Sequence, residues 1–287
     1  MTNHPSKDRN ALGGMRAAVD AELERLLPAG RSRLFEAMRY AVLGGGKRFR
    51  PLVLLAVGEA FGAERSLLLP YACAVELIHN YSLVHDDLPA MDNDDVRRGK
   101  PSCHKAFGEG PALLAGDGLL SLAFEVLAGA PYPRRRPGAK NAALREIATA
   151  AGVRGMIEGQ WLDITPGPET KTADGFLDMI SKKTGALIRA SAMSGALLAG
   201  APAKGAAAAL DYGTALGLAF QLRDDLADAG RSGSPSGIDA VSVFGRENAR
   251  ACLESCLTEA RAALEEGEIA SAELSLLAAS LEPGKGM

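Results

Sequence analysis

Two short acidic segments are set apart by the spacing of their carboxylates. In Asp86-Asp87-Leu88-Pro89-Ala90-Met91-Asp92-Asn93-Asp94-Asp95, five aspartates fall within ten residues at the end of the apolar run 71–88. In Asp224-Asp225-Leu226-Ala227-Asp228, three follow the apolar run 215–222. At about 100° per residue, Asp224 and Asp228 lie only about 40° apart on one helical face, where like charges repel. Either they splay into solvent or a hard divalent cation binds between them. Mg²⁺ suits such a place because it keeps coordination positions open for substrate phosphates. Asp86 and Asp92 would be about 120° apart on a straight helix. Pro89 resolves this: with no N–H and a ring that clashes with the turn before it, it ends or bends the helix near Leu88 and lets Asp92 swing back toward Asp86.

Positive charge lies beside the acid. Arg97-Arg98-Gly99-Lys100 follows the first cluster, and Gly44-Gly45-Gly46-Lys47-Arg48-Phe49-Arg50-Pro51 opens an earlier helix with glycines whose backbone can approach an anion closely. Carboxylates for a metal beside arginines for phosphate suggest a diphosphate ligand. The glycine loop lacks the Gly-Lys-Ser/Thr ending of a P-loop, which disfavours a nucleotide.

Helices must position these groups. Alanine and leucine recur at helical spacing and β-branched alternation is scarce, which predicts an all-α chain. The periodicity predicts helices over Asn10–Leu27, Ser32–Leu43, Pro51–Phe61, Leu67–Leu88, Pro111–Ala128, Asn141–Leu162, Ala173–Leu198, Ala206–Asp228, Ser242–Glu266 and Ser271–Leu281. The breaks are short, so residues 1–287 read as one domain with flexible ends at 1–9 and 283–287. The basic stretch 131–138 and the Gly/Ser stretch 230–237 read as surface loops. An ideal helix puts His79, Ser82, Leu83 and Asp86 along one face.

Composition narrows the class. With 47% hydrophobic and 23% charged residues, the 287-residue chain can bury a large core, which excludes a disordered or fibrous protein. A net charge of −3 gives no general attraction for nucleic acid or anionic lipid. Four cysteines are too few for a disulfide scaffold and the opening residues lack an apolar signal core, so a cytoplasmic protein is expected. The longest uncharged stretch, Ala190 to Ala203, is 14 residues. A bilayer span needs roughly 18 or more, so no membrane span is expected. His104 beside Cys103 has no second ligand pair at zinc spacing, and Trp161 is expected to pack.

At these residues the sequence resembles the trans-polyprenyl diphosphate synthases, most closely the bacterial farnesyl diphosphate synthases, over roughly residues 35 to 228. Gly45-Gly46-Lys47-Arg48-Phe49-Arg50-Pro51 is similar to the family's GGKRxRP. Asp86-Asp87 with Asp92 is similar to its first aspartate motif in the DDxxxxD form. Pro101–Gly108, Leu114–Asp117, Gly159-Gln160-Trp161-Leu162-Asp163, Lys183-Thr184-Gly185-Ala186-Leu187 and Phe220-Gln221-Leu222-Arg223-Asp224-Asp225 follow in family order. The resemblance implies a large helical bundle of the class I isoprenoid synthase type with a central active-site cavity. It implies that Asp86, Asp92 and Asp224 bind Mg²⁺, with Asp87 and Asp228 in support, as a cluster of about three ions once diphosphate is bound and with Mn²⁺ as a substitute. It assigns Arg97, Lys183, Thr184 and Gln221 to the allylic diphosphate (dimethylallyl or geranyl), and Lys47, Arg50, His79 and Arg98 to isopentenyl diphosphate. Tyr81, with Ser82, holds the position where an aromatic residue stops tail growth, which implies farnesyl diphosphate as product. A homodimer is also implied.

One stretch departs from the family pattern. Members commonly carry two Gly-Lys pairs after the second aspartate motif, whereas 229–243 has no lysine, and either Arg231 or Arg246 is the candidate replacement. Arginine keeps the charge but not the reach or geometry of lysine. Three further readings therefore stand beside a farnesyl diphosphate synthase: a geranyl or geranylgeranyl diphosphate synthase, a weakly active or regulatory subunit, and a terpene cyclase. The last would have no use for Lys47, Arg50 and His79.

Overall fold

The computed structural model describes residues 5–228 and 238–284. It is all-α apart from one small hairpin. The helices are α1 (Pro5–Leu26), α2 (Arg33–Leu43), α3 (Phe49–Ala60) and α4 (Arg65–Asp86). The hairpin strands β1 (Val96–Arg97) and β2 (Lys100–Pro101) come next, followed by α5 (Cys103–Phe107), α6 (Glu109–Gly129), α7 (Gly138–Ala151) and α8 (Met156–Ile164). After a 3₁₀ turn, α9 (Ala173–Ile180), a π-helical turn (Ser181–Gly185) and α10 (Ala186–Ala199) form a continuous rod. The chain ends with α11 (Ala203–Asp228), α12 (Ala240–Phe244), α13 (Arg246–Glu266) and α14 (Ala272–Ala279).

Local chemistry sets the helix ends. Ser32, Thr172 and Ser271 cap α2, α9 and α14 by accepting from the N–H groups of Phe35, Gly175 and Leu274. Gly200 stops α10 at φ 71°, which glycine adopts without strain. One apolar cluster runs from Met15 to Leu281. α4 packs along α6 and α3, α10 along α3, α7 and α11, and α11 along α13. α4 and α11 end in Asp86 and Asp228, so the apolar body of the bundle delivers the two acidic segments to their positions.

Several expectations are corrected. The helix expected over 141–162 is two helices, because the chain turns at Gly152–Gly155, where a side chain on Gly155 would strike Ala150 O at 2.1 Å. The helix expected over 242–266 breaks at Gly245, φ 76°. The one expected over 173–198 keeps its direction but carries the π turn, a feature that periodicity on either side does not reveal. Val96 pairs with Pro101 and Arg97 with Lys100 around Arg98 and Gly99, whose φ values of 54° and 75° suit a tight hairpin turn. The first helix, expected from Asn10, begins earlier, at Pro5. Trp161 does not pack against the chain: it is 61% exposed, on a stripe with Val153 and Ile157. By length and composition, two helices are apolar enough to span a bilayer, α4 and α6. An isolated charge such as Asp117 interrupts an uncharged run yet leaves the mean hydropathy of the helix high. α4 is a core helix whose apolar window is 67% buried, and that of α6 is 33% buried. The loop residues 229–237, including Arg231, lie outside the described residues.

Candidate active site

An open cleft of roughly 520 Å³ lies among the C-terminal ends of α4 and α11, the Gly46–Arg50 turn, the hairpin, α8 and the π turn. Its acidic wall starts at Asp86. The chain turns after Pro89, with Met91 N–H donating to Leu88 O at 2.9 Å and Asp92 N–H returning to Asp86 O at 2.8 Å. This is the turn-back that the proline spacing predicts. Asp86 and Asp92 line the cleft together with Asp224 and Asp228 of α11.

Two of these acids, Asp86 and Asp92, are ill at ease without a cation. Burial pushes the Asp86 carboxyl up to about 7, with Asp92 adding to the rise and Lys183 opposing it. Asp92 is raised too, by burial first, and its Oδ1 is buried without a hydrogen-bond partner. No three Asp, Glu, His or Cys side chains converge on one point among the described residues. That donor set fits Mg²⁺, which takes one or two carboxylates and completes its octahedron with phosphate and water.

About two turns back along α4 from Asp86, at His79, the cleft lining turns cationic. Lys47, Arg50, His79 and Arg98 all line the cleft. Burial lowers the Arg50 guanidinium to about 10 against the pull of Glu76 and Asp224, and its Nε has no partner. Phe220 packs on Phe49 with centroids 4.9 Å apart, and the Lys47 and Arg50 cations lie 5.7 and 5.6 Å from its ring. Burial, then the nearby Arg50 and Arg98, hold the His79 imidazole well below its usual range, so it is neutral. The expected face of α4 is present: His79, Ser82, Leu83 and Asp86 all reach the cleft.

The π turn presents Lys183 and Thr184 to the same cleft. Lys183 Nζ donates to Asp163 on α8. Burial works to lower this ammonium and the Asp163 carboxylate more than offsets it, so Lys183 is held above the lysine norm. Thr184 Oγ1 donates to Gln221 Oε1 at 2.7 Å, and Gln221 Nε2 donates to Asp225 Oδ1 at 2.8 Å. Asp225 Oδ2 accepts from Ala240 N at 2.9 Å, which ties the start of α12 to α11. Burial pushes Asp225 up to about 6.

Two of the expected site residues stand back from the cleft. The Asp87 carboxylate, 2% exposed, takes both Nε and Nη2 of Arg97, while Arg97 Nη2 also reaches Asp94 at 3.1 Å. Asp87 therefore fixes Arg97, which lines the cleft, and does not itself line it. Tyr81 is buried edge-on to His85, with centroids 5.8 Å apart, and does not line the cleft, whereas its neighbour Ser82 does. Sequence reasoning gave no role to Glu76, Asn80, Met156 or Asp163. Asp163 was legible as the acid sharing the buried face of α8 with Met156 and Gly159 at helical spacing. Glu76 was legible as an acid inside an apolar helix, where burial demands a cationic partner.

The chain is similar to known proteins over most of its length. A family model described as Polyprenyl synthetase matches residues 31–238. The chain is 43% identical over 219 residues to the farnesyl diphosphate synthase of Geobacillus stearothermophilus, covering 76% of this chain and 74% of that one. It is 41% identical over 268 residues to the farnesyl diphosphate synthase of Escherichia coli, covering 89% and 88%. The apo crystal structure of an FPP/GFPP synthase from Zymomonas mobilis superposes with a TM-score of 0.84 at 34% identity, over 96% of this chain and 98% of that one.

Proposed function

The chain belongs to the polyprenyl synthetase family and is a short-chain trans-prenyl diphosphate synthase, and we propose that it joins isopentenyl diphosphate to dimethylallyl and geranyl diphosphate and stops at farnesyl diphosphate. The observation that carries the reading is that one cleft is lined both by the carboxylates Asp86, Asp92, Asp224 and Asp228 and by the cations Lys47, Arg50, Arg97, Arg98 and Lys183. The two diphosphates have different needs. The allylic one departs with developing charge, whereas the isopentenyl one stays attached and needs only fixed donors.

Mg²⁺ held by Asp86, Asp92 and Asp224, with Asp228 beside them, would neutralise and orient the departing diphosphate. Arg97, Lys183, Thr184 and Gln221 line that side and hold its oxygens, and Asp87 keeps Arg97 aimed. Lys47, Arg50, Arg98 and the neutral His79 hold the isopentenyl diphosphate. Breaking the allylic C–O bond leaves a carbocation, the isopentenyl double bond attacks it, and the proton lost from the adjacent carbon goes to the departed diphosphate. Phe49, Phe220, Leu83 and Met156 give the cleft apolar surface that keeps water from quenching the cation.

Chain-length control is assigned to Tyr81 and Ser82, and Ser82 on the cleft with Tyr81 packed beside it on α4 supports this. A single catalytic domain is supported by one continuous apolar cluster. A homodimer is supported by the apolar surface the chain leaves uncovered at Leu34 on α2 and at Leu113 and Leu114 on α6, the last 60% exposed. Free Cys73, Cys103, Cys252 and Cys256 support a reducing compartment such as the cytoplasm.

The test is incubation of the purified protein with isopentenyl and dimethylallyl diphosphate, with and without Mg²⁺, followed by chromatography of the dephosphorylated alcohols. Mg²⁺-dependent farnesol is expected. Geraniol or geranylgeraniol would keep the reaction and correct the product, and no elongation by folded protein would overturn the reading.

A further inference from the structure

A wall of cations needs an internal counterion to hold its shape. Arg48, Arg50 and Arg98 approach one corner of the bundle, and their mutual repulsion works against any fixed geometry. The acid within that corner is Glu76 on α4, 1% exposed. Arg48 Nη1 donates to Glu76 Oε1 at 2.8 Å, and Asn80 Nδ2, one turn on, donates to the same oxygen at 3.1 Å and to the Glu76 carbonyl at 2.8 Å. An amide so oriented presents its own oxygen outward, and Asn80 Oδ1 accepts from Arg98 Nη1 at 3.2 Å.

The same arginine is fastened from outside. Arg48 Nε donates to Asp20 of α1 at 2.8 Å and Nη2 to Val42 O at 2.9 Å, while Arg16, one turn earlier on α1, reaches Lys47 O at 3.2 Å. Arg48 and Arg98 both have left-handed backbones, φ 53° and 54°. Non-glycine residues keep that conformation only where their surroundings over-determine it. The Gly-Lys-Arg-Phe-Arg turn is thereby divided: Arg48, though it borders the cleft, is committed to Glu76, and Lys47 and Arg50 are left to a ligand.

We infer that Glu76 is the positioning residue of the isopentenyl diphosphate site, fixing the Gly46–Arg50 turn through Arg48 and fixing Arg98 through Asn80. An unpaired carboxylate here would repel a diphosphate, and Arg48 neutralises it. The inference rests on the assignment of Lys47, Arg50, His79 and Arg98 to isopentenyl diphosphate.

The test is the variant Glu76→Gln, examined in two ways: calorimetric binding of isopentenyl diphosphate and of inorganic diphosphate without metal, and steady-state kinetics for both substrates. The Kd and KM for isopentenyl diphosphate should rise about tenfold, the loss of one charged hydrogen bond. The KM for dimethylallyl diphosphate and the saturated kcat should stay within about twofold, a split that general destabilisation would not produce. Glu76→Asp, which keeps the charge, should recover part of the loss. Folded Glu76→Gln that binds isopentenyl diphosphate like the parent, or that loses both substrates equally, overturns the inference. If that variant does not fold, Asn80→Ala decides, since it spares the Arg48–Glu76 pair and removes the amide that links Glu76 to Arg98, leaving Arg98 its bond to Ala41 O at 3.3 Å. The same split is expected of it, and parity with the parent overturns the inference. A parent that binds both diphosphates but never elongates sinks the synthase reading alone, while the binding comparison still tests Glu76.

Discussion

Gly159 on α8 lies against the backbone of Lys183, and a methyl group there tests how tightly the leaving-group side of the cleft is built. A Cβ on Gly159 would sit 2.1 Å from Lys183 N, where ordinary contact begins at 3.4 Å, so about 1.3 Å of clearance must be found. The obstacle is main chain in a π turn, with no flexible side-chain end to give way. That turn is itself packed on α11, where a Cβ on Gly217 would meet Gly185 Cα at 2.6 Å. Gly159→Ala must therefore push Lys183 and Thr184 or tilt α8, which moves Asp163 away from Lys183. Overpacking of this kind costs about 1–3 kcal/mol of stability, which leaves the protein folded at 25 °C. The catalytic cost is larger, because a shift of about 1 Å in a positioning group lowers turnover by about a hundredfold. The assay is kcat and both KM values for Gly159→Ala alongside a thermal melt. Unchanged kcat in a folded variant would refute the claim that the backbone at Lys183 is held by this contact and that its position governs turnover.

Four other outcomes are expected. Asp86→Ala and Asp224→Ala should each lower turnover at least about a hundredfold without unfolding the protein, and near-parent activity of either would reject the metal assignment. Lys47→Ala should raise the KM for isopentenyl diphosphate about tenfold and leave the allylic KM alone, and the reverse pattern would mean that the two sites are interchanged. Tyr81→Ala should shift the alcohols seen by chromatography toward geranylgeraniol, whereas an unchanged product would leave Tyr81 as packing for His85. His79 is neutral in the fold and protonates in the unfolded chain near 6.5, so the unfolded state binds the extra proton below that pH. Melting temperature should thus fall as pH drops through 6.5, and His79→Gln should flatten that slope. A slope identical to the parent's would show that His79 is not held neutral.

The bundle and most of the site were legible because both depend on short-range rules. Helical periodicity marks α4 and α11, and a proline three residues after Asp86 dictates the return of Asp92. What escaped depends on contacts far apart in sequence. Nothing near Ser181–Gly185 announces a π turn, because the reason lies in Gly217 and Gly159 packing on its backbone. Tyr81 falls off the face of α4 that helical spacing gives to His79, Ser82, Leu83 and Asp86, but that it packs edge-on to His85 follows only from the fold. The resemblance gives Asp87 a supporting part beside the metal-binding acids, and its spacing alone does not reveal its partner. The helix ends between Asp86 and Asp87, and the hairpin returns Arg97 to take the Asp87 carboxylate.

That pairing shows how a crowd of like charges is divided by burial rather than by residue type. Of the acids near the cleft, Asp87 pairs with Arg97, Asp163 with Lys183 and Glu76 with Arg48. Each of these carboxylates is nearly buried and anchors a cation at or behind the wall. Asp86 and Asp92 have no cation at hydrogen-bonding distance among the described residues, and burial raises both. A raised carboxyl is one whose charged form lacks solvation, and what restores it here must be small, multivalent and oxygen-seeking. The chain therefore separates its two ligands by which charges it leaves uncompensated. Acid is left over where a departing diphosphate brings metal with it, and base is left over where a diphosphate comes alone.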